Sequence, residues 1–144
     1  MSLVVETKLD FDRSVSTEDR FAIRKVVDTF VRAVNNGDGE VYRAMVSDAA
    51  IIEGFTDIPY VKEGFINMLS RKFTEQANRF MRFPQLKLSY SKYLFQLQGT
   101  YEEFDGGILG TEGTITINLV KGKDGYQIVR ILFYPRMMLH DETI

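Results

Sequence analysis

One stretch constrains the fold of this chain more than any other. Residues 23–53 read as a long amphipathic helix, an abrupt stop, a short helix and a strand. The first helix starts at a capping box, Ser16 to Asp19, and ends where Gly37 supplies a left-handed position and Asp38 can cap the next helix. Its apolar residues recur every three or four positions, the spacing of one helix face: Ile23, Val26, Val27, Phe30, Val31 and Val34.

The rest of the chain predicts one further helix and then strands. Pro59 suits the first turn of a third helix, which the apolar spacing extends to about Asn78. After Pro84 the apolar period changes from helical to alternating, and Asp124-Gly125 is typical of a tight hairpin. Helices first and antiparallel strands after them predict an α+β fold, in which a strongly curved, mostly antiparallel sheet wraps three N-terminal helices.

The length predicts one domain. A chain of 144 residues is long enough to bury a single core. We interpret residues 1–15 as an N-terminal arm, 16–136 as the domain and 137–144 as a C-terminal tail. The arm mixes charges with two isolated apolar residues, Leu9 and Phe11, and is therefore expected either to pack through one or two side chains or to be mobile.

Composition excludes several kinds of chemistry. The chain has no cysteine and a single histidine, His140, so disulfides, thiol catalysis and zinc sites built on sulfur are excluded, and neither a metal nor a cofactor is expected. The net charge of -2 gives no reason to expect nucleic acid as a partner. No apolar run is long enough to span a membrane and the start lacks a signal peptide, so we expect no membrane partner and a cytoplasmic location.

The opening at residues 17–53 and the final hairpin at 121–134 resemble the nuclear transport factor 2-like superfamily, also called SnoaL-like. The resemblance covers about residues 17–136. It implies a cystatin-like cone, in which the sheet and the helices enclose an apolar pocket, and a homodimer that forms through the sheet. Members of the superfamily include isomerases, dehydratases, epoxide hydrolases and polyketide cyclases, while others only bind ligands or serve as dimerisation modules.

Two functions follow from this resemblance. The first is a small-molecule binding domain with an apolar central pocket, which could also act as a cofactor-independent isomerase, lyase or hydrolase. Its expected partners are a small apolar or aromatic ligand and a second copy of the chain. The alternative is a non-catalytic homodimerisation or protein-interaction module whose cavity is filled by its own side chains. Fold alone does not choose between them.

The ketosteroid isomerase branch of the superfamily implies candidate site residues. Its catalytic base corresponds to Glu53, five residues after Asp48. A carboxyl group in an apolar pocket is a better base near neutral pH than one in water. Phe30 occupies the position of the tyrosine that donates to the developing oxyanion, and it cannot donate. The second donor falls near Thr116, although strand alternation turns that residue outward if its isoleucine neighbours face the core. A close copy of the steroid isomerase mechanism is therefore rejected.

Aromatic side chains are the other candidates for a ligand site. Phe30, Phe55 and Phe65 could line a cavity for a flat apolar molecule, with Thr116 as a polar contact. Core packing explains the same aromatic residues equally well. For Glu53 the simpler alternative is a strand-end carboxylate in solvent or paired with an arginine.

Overall fold

The computed structural model describes residues 6–73 and 78–136, and in this part three helices pack against one eight-stranded sheet. The helices are α1 (Thr17–Asn36), α2 (Gly39–Met45) and α3 (Lys62–Lys72). The strands are β1 (Lys8–Phe11), β2 (Val46–Glu53), β3 (Tyr60–Val61), β4 (Arg79–Arg82), β5 (Gln85–Ser91), β6 (Leu94–Asp105), β7 (Ile108–Gly122) and β8 (Gly125–Pro135).

The sheet is mostly antiparallel, and its neighbours are not always consecutive in sequence. The strand order is β1-β5-β6-β7-β8-β2-β3, and β4 pairs with β6 outside this path. Two pairs are parallel, β1 with β5 and β2 with β8, so that Ile52 lies opposite Ile131. Three helices against a curved and mostly antiparallel sheet confirm the predicted α+β class.

The signals at the ends of α1 are confirmed. The backbone N–H of Asp19 donates to Ser16 Oγ at 3.1 Å, which satisfies one of the free donors of the first turn. Gly37 ends the helix in the left-handed region, with a φ of 62°. Between these ends the predicted face is buried against the sheet, and it contributes Ile23, Val27, Phe30, Val31 and Val34.

The strand β7 shows which face of the sheet covers the core. Ile115, Ile117 and Leu119 are buried, while the alternating residues Thr114 and Thr116 point away from the helices. Because side chains alternate between the two faces of a strand, this pattern divides the sheet into an inner face under the helices and an outer face.

The third helix differs from its prediction at both ends. It begins at Lys62, after the short strand β3, and it ends at Lys72 rather than at about Asn78. Phe73 has a φ of -110° and a ψ of 39°, so the chain leaves the helix there while the phenyl ring is buried. The apolar spacing misled the prediction because Phe73 continues the period without belonging to the helix.

Part of the predicted N-terminal arm is a strand of the sheet. Leu9 lies opposite Leu86 in the parallel pair of β1 with β5, and its side chain is buried while that of Lys8 is exposed. Two apolar side chains and a strand partner therefore hold residues 8–11 against the domain. The start of the arm and the predicted tail at 137–144, with His140, lie outside the described residues, and the domain boundaries remain a prediction.

Candidate functional site

Aromatic side chains from the helices, the strands and the loop after β2 meet in one contiguous cluster inside the fold. Adjacent ring centroids lie 5.0–6.5 Å apart, in tilted or edge-to-face arrangements that are favourable for aromatic pairs. We call this set the aromatic cluster, and its members are Phe30, Tyr42, Phe55, Tyr60, Phe65, Phe83, Tyr101 and Phe133.

At one end of this cluster, five neighbouring residues form a group that we call the aromatic rim: Phe55, Lys72, Glu103, Tyr101 and Phe133. The Phe133 ring contacts those of Phe55 and Tyr101, each at 5.0 Å between centroids. Lys72 Nζ lies 4.7 Å from the centre of the Phe55 ring and 2.7 Å from Glu103 Oε2. Glu103 and Tyr101 are two residues apart on β6 and share a face, which brings the ion pair near the tyrosine.

Four segments position the aromatic rim. The last turn of α3 supplies Lys72, β6 supplies Tyr101 and Glu103, β8 supplies Phe133, and the loop after β2 supplies Phe55. Gly54 makes the last placement possible. It has a φ of +86°, and a Cβ atom there would lie 1.8 Å from the carbonyl oxygen of Phe133. Only glycine allows so close an approach, so Gly54 brings the next side chain onto Phe133.

The polar groups near the cluster are shielded from water to different degrees. The Lys72 and Glu103 side chains are 26% and 13% exposed, so their ion pair is partly desolvated. Burial, together with the negative charge of Glu103, raises the pKa of Tyr101 to about 12. Burial also raises the pKa of Tyr42, whose hydroxyl oxygen has no hydrogen-bond partner among the described residues.

The core under α1 is closed. The cavity between this helix and the sheet has a volume of about 10 Å³, which is room for at most one water molecule. Its walls are aliphatic apart from one phenyl ring, and they consist of Val26, Val27, Phe30, Leu86, Leu97, Ile117, Leu119 and Ile128. A ligand therefore has no space beneath α1, and the aromatic rim is the part of the cluster where charged and aromatic groups meet.

The structure separates the four predicted ligand-binding residues. Phe55 and Phe65 are in contact, at 5.7 Å between ring centroids, and Phe30 joins the same cluster through Tyr42. Thr116 is not with them. It lies on the outer face of β7, opposite Gln98 and Leu132, because its neighbours Ile115 and Ile117 face the core.

Glu53 also lies on the outer face of the sheet, in the arginine-paired surroundings that were the simpler alternative. Its carboxylate accepts two hydrogen bonds from Arg130, at 2.8 and 3.1 Å, and its side chain is 37% exposed. Phe30 is buried on the opposite face, so the two residues do not share a pocket. The role of Glu53 as a base stays a prediction, and its surroundings are those of a surface ion pair.

The polar residues of the aromatic rim were missed at the sequence level. Lys72 lies in a stretch of the sequence rich in basic residues, at 71–92, and neither Lys72 nor Glu103 belongs to a motif. One signal was present: Tyr101 and Glu103 continue the inward alternation of Phe95 and Leu97, which places a carboxylate on the core side of a strand. That pattern is unusual because buried acids are rare unless they are paired.

The basic stretch at residues 71–92 is partly neutralised by β6. Besides the pair between Lys72 and Glu103, Arg79 pairs with Asp105 at 3.2 Å and Arg82 with Glu102 at 2.6 Å. Across residues 6–73 and 78–136 there is no group of three or more acidic, histidine or cysteine side chains that could hold a metal ion. In the same residues, no helix has both the length and the apolar character that crossing a membrane requires.

Several solved structures have the same architecture as this chain. An NTF2-like protein of unknown function from Silicibacter pomeroyi is 17% identical, covering 85% of this chain and 100% of its own, with a TM-score of 0.66. A cystatin-like protein of unknown function from Nostoc punctiforme is 12% identical, covering 88% and 97%, with a TM-score of 0.70. A candidate aromatic ring hydroxylase from Novosphingobium aromaticivorans is 16% identical, covering 86% and 93%, with a TM-score of 0.68.

These likenesses define the class of protein by its fold. The chain has a cystatin-like α+β cone, and more particularly the nuclear transport factor 2-like fold. No protein-family model matches the sequence, and no curated protein matches it either. At identities of 12–17% the neighbours establish the fold alone.

Proposed function

We propose that this chain is a small-molecule binding domain that takes a flat, largely apolar ligand at the aromatic rim. The observation that carries this proposal is the group of three contacting aromatic rings beside a partly buried Lys72–Glu103 pair. Ligand sites are mostly apolar, with a few polar groups that fix the orientation of the ligand, and the aromatic rim has this composition.

The contacts indicate how such a ligand would be held. Phe55, which is only partly buried and rests on the buried Phe133, offers aromatic surface for stacking, while Lys72 can donate a hydrogen bond and Glu103 can accept one. An aromatic ligand with one polar substituent satisfies both requirements. The similar fold from Novosphingobium aromaticivorans, described as a candidate aromatic ring hydroxylase, favours the same ligand class.

The same groups would serve a proton transfer without a cofactor. Glu103 could accept a proton from a bound molecule, and the hydroxyl of Tyr101 could donate a hydrogen bond to the charge that develops. This is chemistry of the isomerase, lyase or hydrolase kind. Glu53 is the rival base, and substituting each carboxylate separately by glutamine distinguishes the two.

Titration with 2-naphthol, followed by calorimetry, tests the binding proposal. We expect saturable binding that Phe55→Ala weakens by tenfold or more, since this ring is a wall of the proposed site. Phe21→Ala is the matched control, because Phe21 is 71% exposed on α1 and lies outside the aromatic rim. Absence of saturable binding, or equal loss in both variants, would refute the site. Native mass spectrometry of the purified protein would also reveal a ligand that co-purifies.

A second candidate function, homodimerisation through the outer face of the sheet, rests on a separate observation. Ile51 lies opposite Val61, and the two side chains are 47% and 65% exposed, which leaves an apolar patch at the β2–β3 edge. The same native mass spectra report the oligomer. We expect a dimer that Ile51→Asp converts to monomer, and a wild-type monomer would remove this candidate.

A further inference from the structure

A second cleft lies at the other end of β6, next to the tight turn between β5 and β6. Its volume is about 430 Å³, within the range of small-molecule sites. One wall is aromatic and is formed by Tyr90, Tyr93 and Phe95. The other wall is polar and comes from the start of α1 and the end of β7. We call this site the hairpin cleft.

The polar wall of the hairpin cleft is organised around Asp19. Its carboxylate accepts hydrogen bonds from Ser16 Oγ at 2.9 Å, from Lys121 Nζ at 3.4 Å and from the hydroxyl of Tyr126. The bond from Tyr126 is the main reason that the pKa of Asp19 lies below its ordinary value. One carboxylate and one ammonium group therefore line the cleft, so that its net charge is zero.

The aromatic wall is unusually accessible. The Tyr93 side chain is 85% exposed and that of Tyr90 is 37% exposed. Phe95 is buried behind Tyr90, with 4.5 Å between ring centroids, and it supports this ring from the core side. The cleft thus presents tyrosine surface to solvent beside a hydrogen-bonding wall.

The turn that carries Tyr93 is strained. Ser91 pairs with Leu94, so Lys92 and Tyr93 form a two-residue hairpin turn with φ values of 47° and 73°. Turns with two left-handed residues strongly favour Asn-Gly, because a side chain in this region is sterically disfavoured. Here a large aromatic residue stands where glycine would be more stable. Strain of this kind concentrates at functional sites.

We propose that the hairpin cleft is a carbohydrate-binding site for a neutral mono- or disaccharide. The C–H face of a pyranose ring can pack on the exposed tyrosines, and its hydroxyl groups can bond to the carboxylate, the ammonium group and the serine hydroxyls. Opposite charges of equal number disfavour a fully charged ligand, because an anion would meet Asp19 and a cation would meet Lys121.

Titration of the full chain with maltose and with cellobiose, followed by amide chemical shifts in NMR, tests this assignment. We expect saturable shifts at Tyr90, Tyr93 and Ser16 with either sugar. Tyr93→Ala should weaken binding by tenfold or more, and Tyr93→Gly should do the same while raising the melting temperature, since glycine relieves the strained turn. Phe21→Ala, an exposed aromatic residue outside the cleft, should leave binding unchanged.

Other outcomes overturn the proposal. The proposal fails if neither sugar produces saturable shifts at concentrations up to about 50 mM, which correspond to a binding free energy weaker than about -2 kcal/mol. Tighter binding of choline or of benzoate at the same residues would replace the neutral ligand class by a charged one. Phe55→Ala must leave sugar binding intact, so this result is independent of the proposal for the aromatic rim.

Discussion

The two ends of the core are built from different side chains. Beneath α1 the walls are aliphatic apart from Phe30, and they leave a cavity of only about 10 Å³. At the aromatic rim the same sheet meets phenyl rings, a partly buried ion pair and a tyrosine hydroxyl. Aliphatic side chains of matched shape fill space completely, whereas charges and hydroxyl groups need partners that a core rarely supplies. The closed end is therefore suited to stabilising the fold, and the rim is the end where we propose that a ligand binds.

The largest effect is expected at the closed end. Ile117 is fully buried there, and Ile117→Ala should lower the free energy of unfolding by about 3 kcal/mol through lost burial and a new cavity. Its neighbour on the outer face provides the matched control, and Thr116→Ala should change stability by less than about 0.5 kcal/mol. Urea denaturation measures both. Similar losses would mean that the two faces of β7 are not distinct.

Loss of one charge at the aromatic rim should lower the free energy of unfolding. Lys72→Met keeps the apolar stem but leaves Glu103 without its partner, and it should cost about 2 kcal/mol, less than for a fully buried pair. The double variant Lys72→Met with Glu103→Gln should regain most of this loss. A double-mutant cycle in urea measures the coupling, and strictly additive effects would show that the pair is not a unit.

Asp19 is a hydrogen-bonded carboxylate outside both ends of the core, and it shows how much such a group contributes to stability. Asp19→Asn should cost about 1.5 kcal/mol at neutral pH, since charged hydrogen bonds are lost. The pKa of Asp19 is lowered in the folded state from its ordinary value of 3.8. Its contribution is therefore complete above this value and disappears as the pH falls through the folded pKa. Urea unfolding of the wild type and of Asp19→Asn at several pH values measures this, and the two free energies of unfolding should converge in acid.

Tyr42 lies between the two ends, and its substitution should stabilise the protein. The hydroxyl oxygen is buried without a partner among the described residues, so Tyr42→Phe removes an unsatisfied polar group and should raise the free energy of unfolding by about 1 kcal/mol. Thermal and urea unfolding measure this. A destabilised variant would show that the hydroxyl is hydrogen-bonded in solution.

The smallest effect is expected at Glu53. Its ion pair with Arg130 is largely open to solvent, so Glu53→Gln should change stability by less than about 0.5 kcal/mol and should leave 2-naphthol binding intact. Glu103→Gln is the comparison at the rim and should weaken binding. A reversed order in calorimetry would restore Glu53 as the functional carboxylate.

Most of the fold was predictable because it follows from local periodicity. The face of α1, its capping box and Gly37 are each encoded within a few residues, and all are confirmed. The error at the end of α3 has a physical origin, since Phe73 is buried at helical spacing although its backbone has left the helix. Leu9 and Phe11 gave too little signal for β1, because a parallel partner 77 residues away cannot be read from a short strand.

The candidate site was less predictable because it depends on contacts between distant segments. Phe30, Phe55 and Phe65 were recognised as a potential lining, and the structure brings them into one cluster. The pairing of Lys72 with Glu103 joins α3 to β6, which no local pattern indicates. Glu53 was predicted from a resemblance in position, and a single step of strand alternation determines which face it occupies.

The parallel pairing of β2 with β8 has a consequence during synthesis. All three helices precede β8 in sequence, and β2 acquires its long partner only once Gly125–Pro135 has left the ribosome. Until then the apolar faces of the helices lack part of the sheet that covers them, and one hydrogen-bonding edge of β2 has no partner. An incomplete chain is therefore expected to aggregate more readily than the finished domain.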